Sequence, residues 1–433
     1  MSTATTEQSA VADPQDKMRW PVVCLLSFGM INAYFDRVCL TIALPVMVQT
    51  IDLSPTQQGI ALGAFFWSYT LLQIPSGIWV DKVGVRKPYF YGNLLWGVAS
   101  AATALTTGLW FLLVIRIILG LGESVVTPAS MRYIRMHFDE KQRGTAVGLY
   151  MTGTKLGPAF GLPLAGYLIT AFNWQTMFLI MGFGGLIILV PWMLWVKPND
   201  IASLSRSERE EIERASPTKD SKLQEVSTRE ILRSPVIWGV VLGTFCYMYF
   251  VYYGMTWMPQ YFGKRFGMSI TDMSWYGGVS FGGMAVVIWI GGAMADWCIN
   301  RGYDPISVRK GFTIAGFSLA ATQTIGAYTD NTTVMLVFAV VSMWGLGLAT
   351  ANYWALTQTL IPGGSIAMVV GIQNTAANLA GIVSPTLTGW LIDQTGSFDI
   401  PIKTIGVWLV IGILGYIFLV RPQYAPKVSE ARA

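Results

Sequence analysis

Charged residues are scarce in this 433-residue sequence, and their scarcity excludes an ordinary soluble domain. Asp, Glu, Lys and Arg make up 12% of the residues, whereas 53% are hydrophobic and the mean hydropathy is +0.49. A soluble domain has about twice this charged fraction. The 45 glycines and 17 tryptophans fit a helical bundle in a lipid bilayer. We therefore expect an integral membrane protein, and the net charge of +5 calls for no nucleic-acid partner.

Histidine and cysteine are also rare, which excludes several kinds of chemistry. The single histidine, His137, lies in a charged loop, and the four cysteines show neither a CxxC pair nor metal-ligand spacing. A phosphate-binding loop is missing as well. We expect neither an enzyme nor a bound cofactor or metal. Residues 1–19 are polar and lack the pattern of a signal peptide, so we interpret them as a tail.

Long apolar runs are abundant. A membrane-spanning helix needs about 20 apolar residues. Twelve such runs occur in two groups of six, which predicts an all-α integral membrane protein with twelve transmembrane helices in two six-helix bundles. The runs are 20–47, 57–80, 88–107, 109–131, 144–171, 174–196, 236–262, 274–295, 311–328, 333–354, 366–392 and 403–420.

The two groups are separated by residues 197–235, which contain eight Lys or Arg and eight Asp or Glu. A segment of this composition cannot span a membrane, and we interpret it as a cytoplasmic linker. The predicted organisation is a cytoplasmic tail, a first bundle, the linker, a second bundle and a second cytoplasmic tail. These five parts cover residues 1–19, 20–196, 197–235, 236–422 and 423–433.

The basic residues of the loops predict the orientation in the membrane. If the amino terminus is cytoplasmic, ten Lys or Arg residues fall in cytoplasmic loops and three in the opposite loops. This asymmetry follows the positive-inside rule, so both termini are expected in the cytoplasm of a multi-pass cell-membrane (inner-membrane) protein.

A short motif recurs at the same place in both halves. GIWVDKVGVRKP (77–88) follows the second run, and GGAMADWCINRGYDP (291–305) follows the eighth. Both contain Gly and Asp in the spacing GxxxD, followed by basic residues, which indicates a duplication. We expect each aspartate to form a charge clasp that opens when the halves move. The residues assigned to these clasps are Gly77, Asp81, Arg86, Asp296 and Arg301.

A six-plus-six chain with this motif after the second helix resembles the major facilitator superfamily. Within it, YFDR (34–37), SYTLLQIPSG (68–77) and RIILGLGE (116–123) resemble the anion:cation symporter family. The resemblance implies the major facilitator fold and transport of a small organic anion, such as a sugar acid or an aromatic carboxylate, together with protons. We expect the protein to be a monomer.

Five ionisable side chains fall inside predicted spans of the first half. Each costs about 2.5–3.5 kcal/mol at the centre of a bilayer, so each is a functional hypothesis. They are Asp36, Arg37, Arg116, Glu123 and Lys155.

The types and positions of these residues predict different roles. Asp36 and Arg37 are adjacent on a helix, so their side chains diverge and should have different partners. An arginine binds a carboxylate through two parallel hydrogen bonds and stays charged. A carboxyl group in a poorly hydrated site can take up and release a proton near neutral pH. We therefore expect Arg37 and Arg116 to bind the substrate anion, and Asp36 and Glu123 to carry protons.

Neutral polar residues complete the predicted binding site. Asn378 lies in NLAGI (378–382), which resembles the family's substrate-contacting helix eleven. Arg116 and Glu123 share a helix face, and Gly120 between them is expected to leave space there. Lys155 is either a second contact for the anion or the partner of an acid. The remaining substrate-binding residues are Tyr34, Tyr69, Gln73, Thr357 and Asn374.

Alternatives remain open at this stage. Either arginine could neutralise a buried carboxylate, and Asp36 could be a structural counter-ion. We predict proton-coupled uptake of an organic carboxylate by alternating access. An anion exchanger, a sodium-coupled symporter and an exporter are alternatives on the same fold, and the sequence does not specify the carboxylate.

Overall fold

The described chain consists of helices joined by turns, and it contains no β-strand. The computed structural model describes residues 14–138, 140–197, 228–361 and 366–426. Most of the predicted linker and parts of both predicted tails lie outside these residues. The described helices follow one another as twelve rods, in the order of the twelve predicted spans.

The first half contains eight described α-helices, which form six rods. They are α1 Pro14–Met47, α2 Pro55–Val83, α3 Arg86–Ala102, α4 Leu109–Glu123, α5 Val126–His137, α6 Glu140–Ala171, α7 Trp174–Gly185 and α8 Leu189–Trp195. α4 and α5 follow each other within one rod. α7 and α8 form another, joined by a 3-10 turn at Leu186–Ile188.

The second half contains nine described α-helices, of which the short α9 precedes the six rods. They are α9 Thr228–Arg233, α10 Pro235–Thr256, α11 Met258–Phe266, α12 Ile270–Asn300, α13 Pro305–Ala321, α14 Gln323–Gly326, α15 Thr332–Leu360, α16 Ile366–Thr395 and α17 Asp399–Phe418. α10 with α11, and α13 with α14, each form one rod.

Local sequence signals set the helix ends. The Ser54 hydroxyl accepts a hydrogen bond from the Gln57 N–H, and the Gln57 side chain accepts one from the Ser54 N–H. This capping box fixes the start of α2. Asn173 caps α7 by accepting from the Thr176 N–H. Gly267 adopts φ +66°, which ends α11 before α12 begins.

Seven of the rods are long and apolar enough to cross a membrane. The other five predicted spans correspond to α2, α3, α6, α13 with α14, and α16. α3 and α13 have 17 residues each, slightly less than a full span. α2, α6 and α16 are more polar or richer in glycine because they contact other helices, and not lipid alone, along much of their length.

Glycines allow close helix packing within the first half. A Cβ atom on Gly153 would lie 2.9 Å from the Ser27 carbonyl oxygen of α1, and one on Gly157 would lie 2.7 Å from that of Ile31. A Cβ atom on Gly161 would likewise clash with the ring of Phe35 on α1. One glycine per turn of α6 therefore lies against α1, and the two helices run parallel.

The two halves meet mainly through two helix pairs, α2 with α16 and α6 with α12. A Cβ atom on Gly59 would lie 3.1 Å from the Pro385 carbonyl carbon, and one on Gly278 would lie 2.8 Å from the Ala159 carbonyl oxygen. Thr56 also donates a hydrogen bond of 2.5 Å to Asp393. We call this side of the molecule the closed end.

At the opposite side the same helix faces separate. Gly77 lies 18 residues after Gly59, which is five helical turns, and therefore points in the same direction. Gly371 has the same relation to Gly389 on α16. Nothing lies within 4 Å of a Cβ atom built on Gly77 or Gly371. We call this side the open end and the space between the halves the gap.

The closed end yields a prediction about packing. A Cβ atom on Gly389 would lie 3.1 Å from the Pro55 carbonyl carbon and 3.1 Å from Trp257 Cζ2. Gly389→Val should therefore destabilise the protein by about 1–3 kcal/mol through overpacking. Gly371→Val is the matched control, because it changes the same face of α16 where space is free. Thermal unfolding in detergent measures both, and equal shifts for the two variants would contradict the packing described here.

Candidate functional site

Asp36 and Arg37 lie side by side on α1, and both are buried. As expected for neighbours on a helix, they have different partners. Arg37 reaches α4, where its Nε donates a hydrogen bond of 2.9 Å to Glu123 Oε1. Arg37 Nη2 forms an ion pair with the same oxygen. The arginine predicted to bind the anion and the glutamate predicted to carry a proton are therefore in direct contact.

The other carboxylate, Asp36, faces α3 inside the first half. Trp96 Nε1 donates a hydrogen bond of 3.0 Å to Asp36 Oδ2, and the Ser100 hydroxyl donates to Oδ1. Neutral donors thus occupy both oxygens, an arrangement that stabilises the ionised form. In this conformation the geometry favours the structural alternative for Asp36, which ties α1 to α3.

Aromatic rings surround the Arg37 guanidinium. Its Cζ lies 4.5 Å from the centre of the Tyr34 ring, 4.7 Å from Phe65 and 4.8 Å from Tyr69. Such rings attract a cation through their negative faces without neutralising it. Arg37 therefore keeps its charge in an apolar setting, in which an anion would bind more strongly than in water.

Arg116 on α4 is 3% exposed, and its Nε has no hydrogen-bond partner among the described residues. Within the part of the chain that the structure describes, no carboxylate lies within ion-pair distance of it. The centre of the Phe65 ring is 5.4 Å from Arg116 Cζ and 4.7 Å from Arg37 Cζ. The two guanidinium carbons are therefore at most about 10 Å apart, with Phe65 in contact with both.

The space expected at Gly120, between Arg116 and Glu123, is filled by a neighbouring helix. A Cβ atom on Gly120 would clash with the Phe65 carbonyl oxygen of α2, and the Ser68 hydroxyl donates a hydrogen bond of 2.7 Å to the Ile117 carbonyl. The prediction of an open face here was wrong, because the glycine serves the close approach of α2 and α4.

Glu123 retains one unused oxygen. Oε1 accepts both hydrogen bonds from Arg37, whereas the buried Oε2 has no partner. An unpaired buried carboxylate oxygen is costly, and a proton that binds there removes the charge from it. Among the described residues no group of three or more His, Cys, Asp or Glu side chains could hold a metal ion.

Lys155 on α6 is partly buried and forms neither a hydrogen bond nor an ion pair with another described residue. The alternative in which it pairs with an acid is therefore not found in this structure.

The second half places its predicted site residues differently. Asn374 Nδ2 donates a hydrogen bond of 3.1 Å to Gln73 Oε1, which links α16 to α2 across the gap. Asn378, one turn further along α16, is buried and makes no hydrogen bond to any other described residue. Thr357 is fully buried, and its hydroxyl donates to the Tyr353 carbonyl oxygen of its own helix. Asn378 is therefore available to a ligand in this conformation, whereas Thr357 is not.

Both predicted clasp aspartates pair with an arginine of another helix. Asp81 at the end of α2 forms an ion pair with Arg132 of α5, and Asp296 Oδ1 lies 3.2 Å from Arg309 Nη2 of α13. The repeated motif thus makes comparable contacts in the two halves, although both pairs join helices of the same half. Gly77, which precedes Asp81, faces the gap without a neighbour.

The two arginines assigned to these clasps, Arg86 and Arg301, make other contacts in this structure. Arg86 Nη2 donates a hydrogen bond of 2.8 Å to the Met193 carbonyl oxygen at the end of α8. The Arg301 guanidinium stacks on Trp297, 3.7 Å from the ring centre. Proximity in sequence selected these arginines, but the neighbouring helices supply the nearer cations.

Several residues of the site were not predicted. Phe65 and Phe66 carry no polar atom, so a search for buried charge passes over them. Trp96 and Ser100 lie four residues apart on α3, so they share one face of an apolar helix. Two hydrogen-bond donors in this spacing indicate a buried acceptor, and this signal was available in the sequence. Phe66 also closes the site, because its ring lies 4.7 Å from that of Tyr252 and packs against Gly381.

Sequence comparison identifies relatives along nearly the whole chain. A hexuronate transporter of Bacillus subtilis (strain 168) is 29% identical over 430 residues, which cover 96% of this chain and 98% of the relative. A D-galactonate transporter of Escherichia coli O6:H1 is 28% identical and covers 93% and 96% of the two chains. A probable galactarate/D-glucarate transporter of Escherichia coli (strain K12) is 26% identical, with 97% of each chain covered.

Structure comparison agrees on the fold. A bacterial homolog of the human lysosomal transporter Spinster, solved in an inward-facing and unoccupied conformation, superposes with a TM-score of 0.79 over 97% of this chain and all of that one, at 17% identity. Residues 26–385 match the sequence profile of the Major Facilitator Superfamily. With its helices, its repeated motif and its relatives in agreement, the chain belongs to the Major Facilitator Superfamily.

Proposed function

We propose that this transporter takes up an organic carboxylate, of the sugar-acid type, together with protons. Its relatives named for hexuronate, D-galactonate and galactarate/D-glucarate transport match it over nearly their full lengths. The substrate binds in the gap, at the bottom of which lie Arg37, Arg116 and Asn378. Tyr34, Tyr69, Gln73 and Asn374 line the approach to them.

The observation that carries this proposal is the pair between Arg37 and Glu123. A substrate carboxylate and the Glu123 carboxylate compete for the same guanidinium. When Glu123 takes up a proton at Oε2, its charge is lost and Arg37 becomes available to the substrate. When the substrate leaves, Arg37 attracts the ionised glutamate again and the proton is released. Proton binding and anion binding therefore favour each other, which is what symport requires.

Asp36 has a different role in the proposed proton coupling. Both of its oxygens accept hydrogen bonds from α3, and these bonds stabilise its ionised form. A proton can bind there only when α1 moves relative to α3. We assign the first coupling proton to Glu123 and a conformation-dependent proton to Asp36.

The conformation supports alternating access between the two halves. The gap is open at the end that carries the basic residues after α2 and α12, and closed at the other end. By the positive-inside rule the open end faces the cytoplasm, with both termini on that side of the cell membrane. The structure is then the state that releases substrate inside the cell.

Uptake into reconstituted vesicles tests the proposal. With an acidic exterior, the wild type should concentrate a sugar acid such as galactonate, glucuronate or galactarate, and a proton-conducting ionophore should abolish this accumulation. A sodium gradient at equal pH separates sodium coupling, and preloaded substrate without any gradient separates exchange. Accumulation that follows only the sodium gradient or only preloaded substrate would overturn proton symport.

A further inference from the structure

Lys155 lies on the face of α6 that leads from the closed end into the gap. Ala159, Leu162 and Gly166 follow it at intervals of three or four residues, so they share this face. All three contact α12 at the closed end, at Gly282, Gly277 and Ser274 respectively.

Toward the open end the same face loses its neighbours. A Cβ atom on Gly144 or Gly148, which precede Lys155 on this face, would meet nothing within 4 Å. Lys155 therefore occupies the first turn of α6 beyond the last contact with α12, where its amine borders the gap.

Among the described residues, none neutralises the amine. Lys155 forms no ion pair or hydrogen bond with any described residue, although it is partly buried at bilayer depth. A cation in such a position is costly unless a counter-charge arrives. Because the amine borders the gap, that counter-charge can come from a bound ligand.

The charged side chains near the gap also have a net positive charge. Asp36 and Glu123 balance Arg37 and Arg116, so Lys155 makes the total +1. Protonation of Glu123 raises it to +2. A ligand with two negative charges then brings the total to zero, whereas a monoanion leaves one positive charge unpaired.

The positions of the two cations along their helices differ by an amount that suits a ligand with charges at both ends. Gly157 packs against Tyr34, so the levels of Lys155 and Arg37 along the parallel helices α6 and α1 differ by five residues, or about 7.5 Å at 1.5 Å per residue. The two carboxylates of an extended six-carbon diacid can bridge such a separation.

We propose that Lys155 makes this transporter selective for dicarboxylates, which Arg37 binds at one end and Lys155 at the other. This inference rests on the proposed function for the position of the carboxylate at Arg37, and it adds the substrate class and a residue that determines specificity. Charge-assisted hydrogen bonds of this kind correspond to a preference of about tenfold or more for the diacid.

Matched ligands test this on the purified full-length protein. Galactarate has a second carboxylate where galactonate has a CH2OH group, and terephthalate has one where benzoate has a hydrogen atom. In equilibrium binding, the wild type should prefer the diacid of at least one pair by about tenfold. Lys155→Met should abolish the preference and leave the affinity for the monoacid within about twofold, and Lys155→Arg should restore it. Lys403→Met, which removes a cation stacked on Tyr328 far from the gap, is the control.

Each remaining outcome overturns the inference. It fails if the wild type binds neither diacid, if it prefers the monoacids, or if Lys155→Met weakens both members of a pair equally. Uptake in parallel separates this from the proposed function. If the wild type takes up a monocarboxylate in response to the pH gradient and Lys155→Met does not change its transport, only the dicarboxylate inference is contradicted. If the preference for the diacid depends on Lys155 but uptake does not respond to the pH gradient, only the proposal of proton coupling is contradicted.

Discussion

Replacing Arg37 by glutamine is expected to lower the affinity for the carboxylate substrate by at least about a hundredfold. The reason is the loss of two charge-assisted hydrogen bonds in a setting enclosed by Tyr34, Phe65 and Tyr69, where water cannot replace them. Arg37→Lys should also bind poorly, because an ammonium group lacks the planar fork that matches a carboxylate. Titration of the purified protein with the transported substrate measures both variants.

A control must separate lost binding from lost folding. Arg37→Gln leaves Glu123 as a buried charge without a partner, which destabilises a protein by about 3–5 kcal/mol. The double variant with Arg37→Gln and Glu123→Gln removes both charges together, so it should unfold closer to the wild-type temperature and still fail to bind. If the double variant binds substrate with wild-type affinity, Arg37 is not part of the binding site.

The fold could be predicted from the sequence because its signals are long and repeated. Twelve apolar runs and the matching GxxxD motifs after α2 and α12 are local features, and the described helices follow them closely. The contact between the halves could not be predicted in this way. Gly59 and Gly77 are equivalent as residues on one face of α2, yet one touches Pro385 and the other faces open space. The difference depends on the tilt between the two halves.

The candidate site was predicted by residue type but not by pairing. Burial of charge in an apolar run selected Asp36, Arg37, Arg116 and Glu123, because such charges are costly wherever they lie. The partners depend on how helices pack. Arg37 and Glu123 are 86 positions apart, so no local pattern could join them.

Neutral residues were harder to place for a related reason. A polar side chain in an apolar helix can serve a ligand or its own backbone, and both uses look the same in a sequence. Thr357 donates to the Tyr353 carbonyl oxygen, whereas Asn378 makes no hydrogen bond within the described part of the chain. Only the packing of the neighbouring helices shows which side chain bonds its own backbone and which is available to a ligand.

Replacing Glu123 by glutamine is expected to separate substrate binding from proton coupling. Glutamine has the shape of the protonated acid, so Arg37 is no longer held by a negative charge and remains available to the anion. Glu123→Gln should therefore bind substrate and exchange it between equal pools at a rate within a few-fold of the wild type. It should lose all accumulation against a concentration gradient, because no proton can leave the site inside the cell.

The same substitution should remove the pH dependence of binding. In the wild type, raising the pH ionises Glu123 and restores its competition with the substrate for Arg37, so affinity falls. In Glu123→Gln the competitor is absent at every pH, and the affinity should stay at its acidic value. Asp272→Asn, which alters an exposed carboxylate at the start of α12, is the control for general effects of charge.

Counterflow and proton-driven uptake, compared in the same vesicles, show whether Glu123 carries the coupling proton. Counterflow needs only binding and the rocking of the two halves, whereas accumulation also needs a proton that binds on one side and leaves on the other. Retained counterflow with lost accumulation assigns the coupling proton to Glu123. If Glu123→Gln still concentrates substrate in response to the pH gradient, the proton must travel with Asp36 instead. The hydrogen bonds from Trp96 and Ser100 to Asp36 would then have to open in every transport cycle.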